Sequence, residues 1–177
     1  MSEGVYYREQ DYAGVWRRLL IVLVDIPVLL VLIVAAWIGL YTLLPDSVVV
    51  AALLPVAAVL SFLYLALLKR SRLRTLGYRL AGVRAVDLHG GVPSVASLTL
   101  RLLFAVFGPF NILIDLLWIP GDPHRQALRD KFAHTYVVRL HAEPSGSAPI
   151  KFRPCFILGW SFLFQEVDSV AQVPPPA

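Results

Sequence analysis

The stretch LLIVLVDIPVLLVLIVAAWIGLYTLL, residues 19–44, decides the fold of this chain. It is 26 residues long with Asp25 as its one charged side chain, and about 20 apolar residues are enough for a helix to cross a bilayer. The apolar core of a signal peptide is usually only ~7–15 residues long. We therefore expect a retained transmembrane helix, which Pro27 would kink or locally open.

A second apolar stretch, VVVAALLPVAAVLSFLYLALL at residues 48–68, contains no charged residue. The three residues Pro45, Asp46 and Ser47 separate it from the first stretch, and a connection this short is typical of a tight turn between helices. The two stretches together predict a transmembrane helical hairpin.

The overall composition is typical of a membrane protein. Apolar residues make up 58% of the chain and charged residues 16%, with a mean hydropathy of +0.69, whereas soluble domains average ~45–50% and ~25%. The net charge of +4 comes from basic residues that flank the apolar stretches, without the basic and aromatic platform of a nucleic-acid interface, so no nucleic acid is expected as a partner. Cys155 is the one cysteine, which excludes an intrachain disulfide.

The flanking charges predict the orientation of the hairpin. Basic residues precede the first stretch and follow the second, whereas the connecting turn carries only Asp46. Loops rich in Lys and Arg stay in the cytoplasm, so we expect a cytoplasmic N-terminus, with both ends of the hairpin on that side. The basic residues are Arg17, Arg18, Lys69, Arg70, Arg72, Arg74, Arg79 and Arg84.

Two short runs outside these stretches are typical of β-strands. Residues 81–88 place apolar side chains among polar ones before a His-Gly-Gly turn, and residues 134–140 contain the apolar run Tyr-Val-Val. An isolated strand would leave its backbone groups unsatisfied. We therefore expect the two runs to pair with each other on the cytoplasmic side.

The third apolar block, residues 95–119, is interrupted by Arg101 and Asp115 and has Gly108-Pro109 near its middle. A single crossing would place the basic residues that follow outside the cell and would separate the two strand-like runs. A hairpin or re-entrant pair of half-helices that turns at Gly108 avoids both conflicts. Because Arg101 and Asp115 are equidistant from Gly108, this arrangement predicts that they pair.

These patterns predict an α-helical membrane protein with three parts: a transmembrane helical hairpin, a third broken apolar segment (re-entrant or hairpin) and a small cytoplasmic two-strand β element. The membrane domain would cover residues 12–140 and a C-terminal tail residues 141–177. In the tail, the apolar run at residues 156–164 is too short to span and would be an interfacial anchor or a docked helix. Residues 173–177 are proline-rich and are expected to be disordered.

Asp25 is the strongest candidate for a functional residue. A carboxylate at mid-bilayer costs at least ~2.5–3.5 kcal/mol on insertion scales, so it normally faces a partner or water. Arg18 lies seven residues earlier on nearly the same helix face, about 10 Å away along the axis, which is too far for direct contact. One interpretation is a cation or proton site, since a desolvated carboxylate exchanges protons near neutral pH. The other is a packing clasp in which Asp25 bonds Ser61, Tyr64 or Arg101.

The other candidate residues are weaker signals. Arg101 and Asp115 have either a structural or a chemical role, and Asp130 either belongs to a solvated face or caps a turn or binds a basic residue. The four histidines lack tight metal-ligand spacing, and the sequence contains no phosphate loop and no nucleophile motif. We therefore expect no metal, no cofactor and no enzymatic activity.

Three stretches of the chain resemble the RDD family of small bacterial membrane proteins, which is named for one arginine and two aspartates. They are YAGVWRRLLIVLVD at residues 12–25, TLGYRLAGVRAVDLHGG at residues 75–91 and RQALRDKFAHTYVV at residues 125–138. The third departs from the family pattern, with Arg129 where a histidine is common and His134 where a glycine is usual.

The resemblance implies a multi-pass protein of the bacterial inner membrane. It implies that Arg18 is the family arginine and Asp25 the first aspartate, while the second is either Asp130 or Asp115. The family largely has no assigned function, although some members resemble cation/proton antiporters. The expected partners are the lipid bilayer and either a second copy of the chain or another membrane protein. The candidate functional or ion-binding residues are Arg18, Asp25, Arg101, Asp115 and Asp130.

Overall fold

The structure is a computed structural model that describes residues 3–106, 109–157 and 160–168. Its two long helices are α1 (Val15–Leu43) and α2 (Asp46–Arg70), joined by Leu44 and Pro45. The backbone N–H of Leu44 closes α1 on the carbonyl of Leu40 at 2.9 Å. The predicted helical hairpin is therefore confirmed as two antiparallel helices, and α1 continues as a helix through Pro27.

Four shorter helices and five strands complete the described chain. The helices are α3 (Leu76–Leu80), α4 (Val95–Val106), α5 (Pro109–Trp118) and α6 (Leu128–Phe132). The strands are β1 (Glu3–Tyr6), β2 (Val83–Asp87), β3 (Thr135–Arg139), β4 (Gly146–Ile157) and β5 (Trp160–Val167). Single 3₁₀ turns lie at Glu9–Asp11 and Ile119–Gly121.

The apolar side chains of α1 and α2 point outward. Only 11% of the most apolar window of each helix is buried, and Leu23 and Leu54, for example, are 62% and 79% exposed. An apolar helix in the core of a soluble protein would be mostly buried. Both helices are also long enough to cross a bilayer. This pair of helices therefore fits a membrane protein.

The third apolar block forms two helices, α4 and α5, of 12 and 10 residues. Each is too short to span a bilayer alone. In one straight helix, Arg101 and Asp115 would lie about 21 Å apart along the axis, yet they contact the adjacent residues Asp130 and Arg129 of α6. The two helices therefore lie beside the same short helix. The proposed turning point at Gly108 falls outside the described residues.

The predicted pairing of the two strand-like runs is confirmed. β2 and β3 form an antiparallel pair in which Ala85 lies opposite Val137. The strand content, however, is larger than the predicted two-strand element. A second sheet has the order β1-β4-β5, so a strand from the N-terminal residues pairs with the C-terminal tail.

The docked helix predicted as one alternative for the tail is wrong, whereas the other alternative, an interfacial anchor, stays a prediction. The structure has the antiparallel hairpin β4–β5 there, with Pro154 opposite Leu163. The aromatic residues of β5 recur at every second position, Trp160, Phe162 and Phe164, which is the period of a strand and not of a helix. Residues 158–159 and the proline-rich end at residues 173–177 lie outside the part of the chain that the structure describes.

The two sheets share one apolar core. It joins side chains from both sheets to the segment before α1, where the ring of Tyr12 packs edge-on against Tyr136 at 5.6 Å between centroids. This packing fixes the five described strands, together called the strand-rich region, beside the beginning of α1. The core residues are Tyr7, Tyr12, Val86, Leu88, Tyr136, Val138, Ala142, Ala148 and Val167.

Candidate functional site

Along α1, the buried residues are Arg18, Ile21 and Asp25. Positions i, i+3 and i+7 lie on one face of a helix, so these three form a seam while the rest of α1 faces outward. The seam carries two of the five candidate residues. Each of them binds a different part of the chain.

Arg18 is 3% exposed and has hydrogen bonds on all three guanidinium nitrogens. Nη1 forms an ion pair with Asp130 Oδ2 at 2.5 Å. Nε donates to the carbonyl of Ala13 at 3.0 Å, and Nη2 to the carbonyl of Arg125 at 2.9 Å. Arg18 therefore fixes the start of α1 to the segment that leads into α6.

Asp130 lies between two arginines and is fully buried. Arg101 of α4 contacts its second oxygen at 2.8 Å and also donates to the hydroxyls of Thr135 and Tyr78, both at 3.2 Å. Burial alone would raise the pKa of Asp130, but the charges of Arg101 and Arg18 outweigh burial and lower it to about 2. The carboxylate is thus ionised at neutral pH and joins α1, α4 and α6.

Asp25 has a different set of partners. Its Oδ1 accepts from the Tyr64 hydroxyl at 3.1 Å and from the Gly77 backbone N–H at 2.8 Å, and its Oδ2 accepts from the Thr75 hydroxyl at 2.8 Å. The ammonium of Lys69 is 3.9 Å from Oδ2. The structure therefore places Asp25 against Tyr64, one of the predicted partners, and not against Arg101.

Local backbone geometry aims these partners at Asp25. A π-helical turn at Leu63–Leu67 interrupts α2, and such turns are frequent at functional sites because they redirect a side chain. Thr75 caps α3, and Gly77 brings its backbone against α1. A Cβ atom at Gly77 would lie 2.7 Å from Asp25 Oδ1 and 2.8 Å from the carbonyl oxygen of Ile21. Only glycine allows this approach.

Tyr78 connects the two carboxylate environments. Its hydroxyl accepts from Arg101, and its backbone N–H donates to the Thr75 hydroxyl at 3.4 Å. The ammonium of Lys69 lies 5.0 Å from the centroid of its ring, which is a cation–π distance. Through Tyr78, α3 contacts both the Asp25 partners and the Asp130 cluster (Arg18, Arg101 and Asp130).

The predicted pair between Arg101 and Asp115 is wrong. Arg101 pairs with Asp130, while Asp115 forms an ion pair with Nε of Arg129 at 3.0 Å and accepts a hydrogen bond from the Arg129 backbone N–H at 3.2 Å. The physical reason is that α6 presents opposite charges at successive positions. Each half of the third block therefore finds a complementary charge on α6 instead of on the other half.

Sequence reasoning missed a second buried group of charges. Lys131 contacts Asp122 at 2.5 Å and also Glu166 of β5. Burial would lower the pKa of Lys131, but the two carboxylates outweigh it and raise the pKa. This group ties the C-terminal hairpin to α6. No sequence signal pointed to it, because Glu166 is far from Lys131 in the chain.

The five candidate residues are bound within the protein rather than left free to bind a ligand. Among the described residues, Arg18, Asp25, Arg101, Asp115 and Asp130 each have at least one partner within the chain. Three further residues that contact the candidates, Thr75, Gly77 and Tyr78, belong to the second of the three quoted stretches, whereas Tyr64 and Lys69 lie outside it. That stretch was the signal that could have located the first three.

The fold and the site fit a helical membrane protein. A group of its charged residues is buried beside the strand-rich region. The model of the RDD family matches residues 12–134, which is more than half of the chain, and the chain belongs to this family. A search of curated proteins and a search of solved structures each found no match.

The matched range contains both candidates for the second family aspartate. Asp130 contacts Arg18 directly, whereas Asp115 contacts Arg129. The geometry thus links Asp130 to Arg18 across 112 residues of sequence. The tail beyond residue 134 lies outside the family match.

Proposed function

We propose that this protein is a non-enzymatic, multi-pass protein of the bacterial inner membrane, in which the buried charges act as a clasp. The observation that carries the proposal is the pairing of Arg18 with Asp130. One residue of α1 thereby binds α6, and seven residues later Asp25 binds α3 and α2. The two contacts fix the membrane hairpin to the strand-rich region.

The clasp suits an accessory or assembly subunit. The outward faces of α1 and α2 are apolar. One such face would suit a second copy of the chain or another membrane protein. The lipid bilayer covers the remainder. We infer that the clasp keeps the strand-rich region at a fixed orientation to these faces, so that a partner meets one defined surface.

The charge distribution supports a cytoplasmic N-terminus. The end of the hairpin with Arg17, Lys69 and Arg70 is basic, and the opposite end has Asp46. In a Cys155→Ser background, a single cysteine introduced at Ser47 should react with an impermeant maleimide in whole cells. A cysteine at Ser94 should react only after the membrane is opened. The reverse pattern would refute this orientation.

Cation or proton transport is the second candidate. The observation that favours it is the position of the Lys69 ammonium, 3.9 Å from the buried carboxylate of Asp25. Ionisable residues buried within membrane segments often mark ion pathways or proton relays. The transport candidate predicts that Asp25 releases its hydroxyl and N–H partners during turnover.

Proteoliposomes distinguish the two functions. Purified wild-type protein is reconstituted with a pH-sensitive dye and challenged with sodium and potassium gradients, beside Asp25→Asn and, as a matched control, Asp46→Asn at the exposed turn. The clasp predicts no flux above empty vesicles and a lower yield of folded Asp25→Asn. A wild-type flux that disappears in folded Asp25→Asn but persists in Asp46→Asn would replace the clasp with a transporter.

A further inference from the structure

A cleft of about 1130 Å³ lies where α1 begins. Its walls come from residues 6–10, the first turn of α1 and the segment 119–125. A smaller recess of about 420 Å³ shares Arg8, Arg125 and Arg139 with it. Pockets for small ligands usually measure about 300–1,000 Å³, so the cleft has room for a phosphorylated headgroup.

The cleft is lined by four arginines, Arg8, Arg17, Arg125 and Arg139. Of the two acidic residues in its walls, Asp122 is bound by Lys131 at 2.5 Å and by two backbone N–H groups.

The other acidic residue, Glu9, pairs with Arg125 at 2.9 Å. Within the described chain, Arg8, Arg17 and Arg139 have no carboxylate partner. Arg17 donates to a backbone carbonyl, that of Ala81. The cleft therefore has an excess of positive charge that the protein itself does not neutralise.

The position of the cleft indicates whether an anionic ligand would come from the bilayer or from solution. Trp16 lines it, is 82% exposed and is the second residue of α1. The long apolar stretch starts three residues later, at Leu19. Exposed tryptophans beside a span favour the headgroup layer of the bilayer. We therefore expect the opening of the cleft to lie at the level of lipid phosphates.

We propose that this cleft binds the phosphate of an anionic phospholipid headgroup. The planar guanidinium group donates two parallel hydrogen bonds to a phosphate, and Arg8 and Arg139 lie in both cavities with their guanidinium groups free of carboxylates. A net anionic lipid fits better than a zwitterionic one, because a choline or ethanolamine ammonium would add positive charge to a site that already has an excess. The site is separate from the Asp25 and Asp130 environments, so it does not depend on the clasp or on transport.

The test uses the full chain in nanodiscs with equal amounts of phosphatidylglycerol and phosphatidylcholine. Lipids retained after transfer to detergent are counted by native mass spectrometry. Wild-type protein should retain phosphatidylglycerol preferentially, and Arg8→Gln/Arg139→Gln should reduce that preference by about tenfold or more. Both substituted arginines are exposed at the surface, so the thermal transition should not change.

The matched control is Arg70→Gln/Arg72→Gln, which removes the same charge from exposed positions outside the cleft. It should keep the wild-type preference. Equal losses in the two double variants would show a general charge effect and overturn the proposal, as would full retention in Arg8→Gln/Arg139→Gln. Displacement of the lipid by micromolar glycerol 3-phosphate would also overturn it, because the site would then belong to a soluble phosphate. If the glutamine variant fails to fold, Arg8→Lys/Arg139→Lys should lose part of the preference, and an unchanged preference contradicts the proposal.

Discussion

Two of the buried carboxylates of this protein, Asp130 and Asp25, are stabilised in different ways. Asp130 lies between the guanidinium groups of Arg18 and Arg101 at 2.5 and 2.8 Å. Asp25 accepts three hydrogen bonds from neutral groups, and its nearest cation, Lys69, is 3.9 Å away. One environment is ionic and the other is mainly dipolar.

The difference separates two structural tasks. An ionic cluster in a buried place is sensitive to the loss of either sign of charge, because the remaining partner is left without compensation. A carboxylate held by hydroxyl and backbone N–H groups depends on distances and directions instead. We therefore expect the Asp130 cluster to respond most to charge, and the environment of Asp25 to respond most to shape.

The largest effect is expected from Asp130→Asn. This change leaves the buried Arg18 and Arg101 without their carboxylate, which should lower the free energy of unfolding by about 3–5 kcal/mol. Equilibrium unfolding in mixed detergent micelles, followed by far-ultraviolet circular dichroism, measures it. Asp46→Asn at the exposed turn is the control and should change stability by less than about 0.5 kcal/mol. A similar small change in Asp130→Asn would show that the ionic cluster does not hold the fold.

A second test of the ionic cluster is the dependence of stability on pH. The pKa of Asp130 in the folded protein is lowered to about 2, so the ionised carboxylate stabilises the fold above its ordinary pKa near 4. This contribution, roughly 2–3 kcal/mol, is lost as the pH falls from about 4 to about 2. Thermal unfolding across this window should show the loss in the wild type. In Asp130→Asn this part of the slope should disappear, and an identical slope in both proteins contradicts the assignment.

The shape dependence of the Asp25 environment is tested by Gly77→Ala. The added methyl group would lie 2.7 Å from Asp25 Oδ1 and 2.8 Å from the carbonyl oxygen of Ile21, so α3 must move away from α1. Overpacking of this kind costs about 1–3 kcal/mol. Gly39→Ala, in the helix α1 and with nothing within 4 Å of the new atom, is the matched control. Gly77→Ala should have a lower free energy of unfolding than Gly39→Ala. Equal values would show that the contact between α1 and α3 is loose.

Much of the helical part of this fold could be predicted from the sequence because its signals are local. The two long apolar helices follow from long runs of apolar residues, and the pairing of β2 with β3 follows from two short strand-like runs. The tail was misjudged because an apolar run of nine residues has the length of either a strand or a docked helix. The two-residue period of Trp160, Phe162 and Phe164 decides between them.

The partners of the candidate residues were harder to predict, because they depend on tertiary contacts. Asp25 and Arg18 could be found as charges in or beside an apolar run. That Arg101 would bind Asp130 and leave Asp115 to Arg129 depends on where α6 packs. Seven-residue spacing shows that Arg18 and Asp25 share a face, but it does not show that they bind separate segments. Those contacts span 112 and 50 residues of sequence.

The smallest effect in this comparison is expected from Tyr64→Phe. It removes one of the three neutral donors to Asp25, the hydroxyl at 3.1 Å, and leaves the Thr75 and Gly77 contacts in place. A hydrogen bond to a charged group contributes about 1.5–3 kcal/mol, and the remaining donors and nearby Lys69 should limit the loss to about 1–2 kcal/mol. Tyr41→Phe, at a ring that is 56% exposed, is the control and should leave the unfolding free energy unchanged. If Tyr64→Phe destabilises the protein as much as Asp130→Asn, then Asp25 depends on a single partner and the contrast between an ionic and a dipolar environment is wrong.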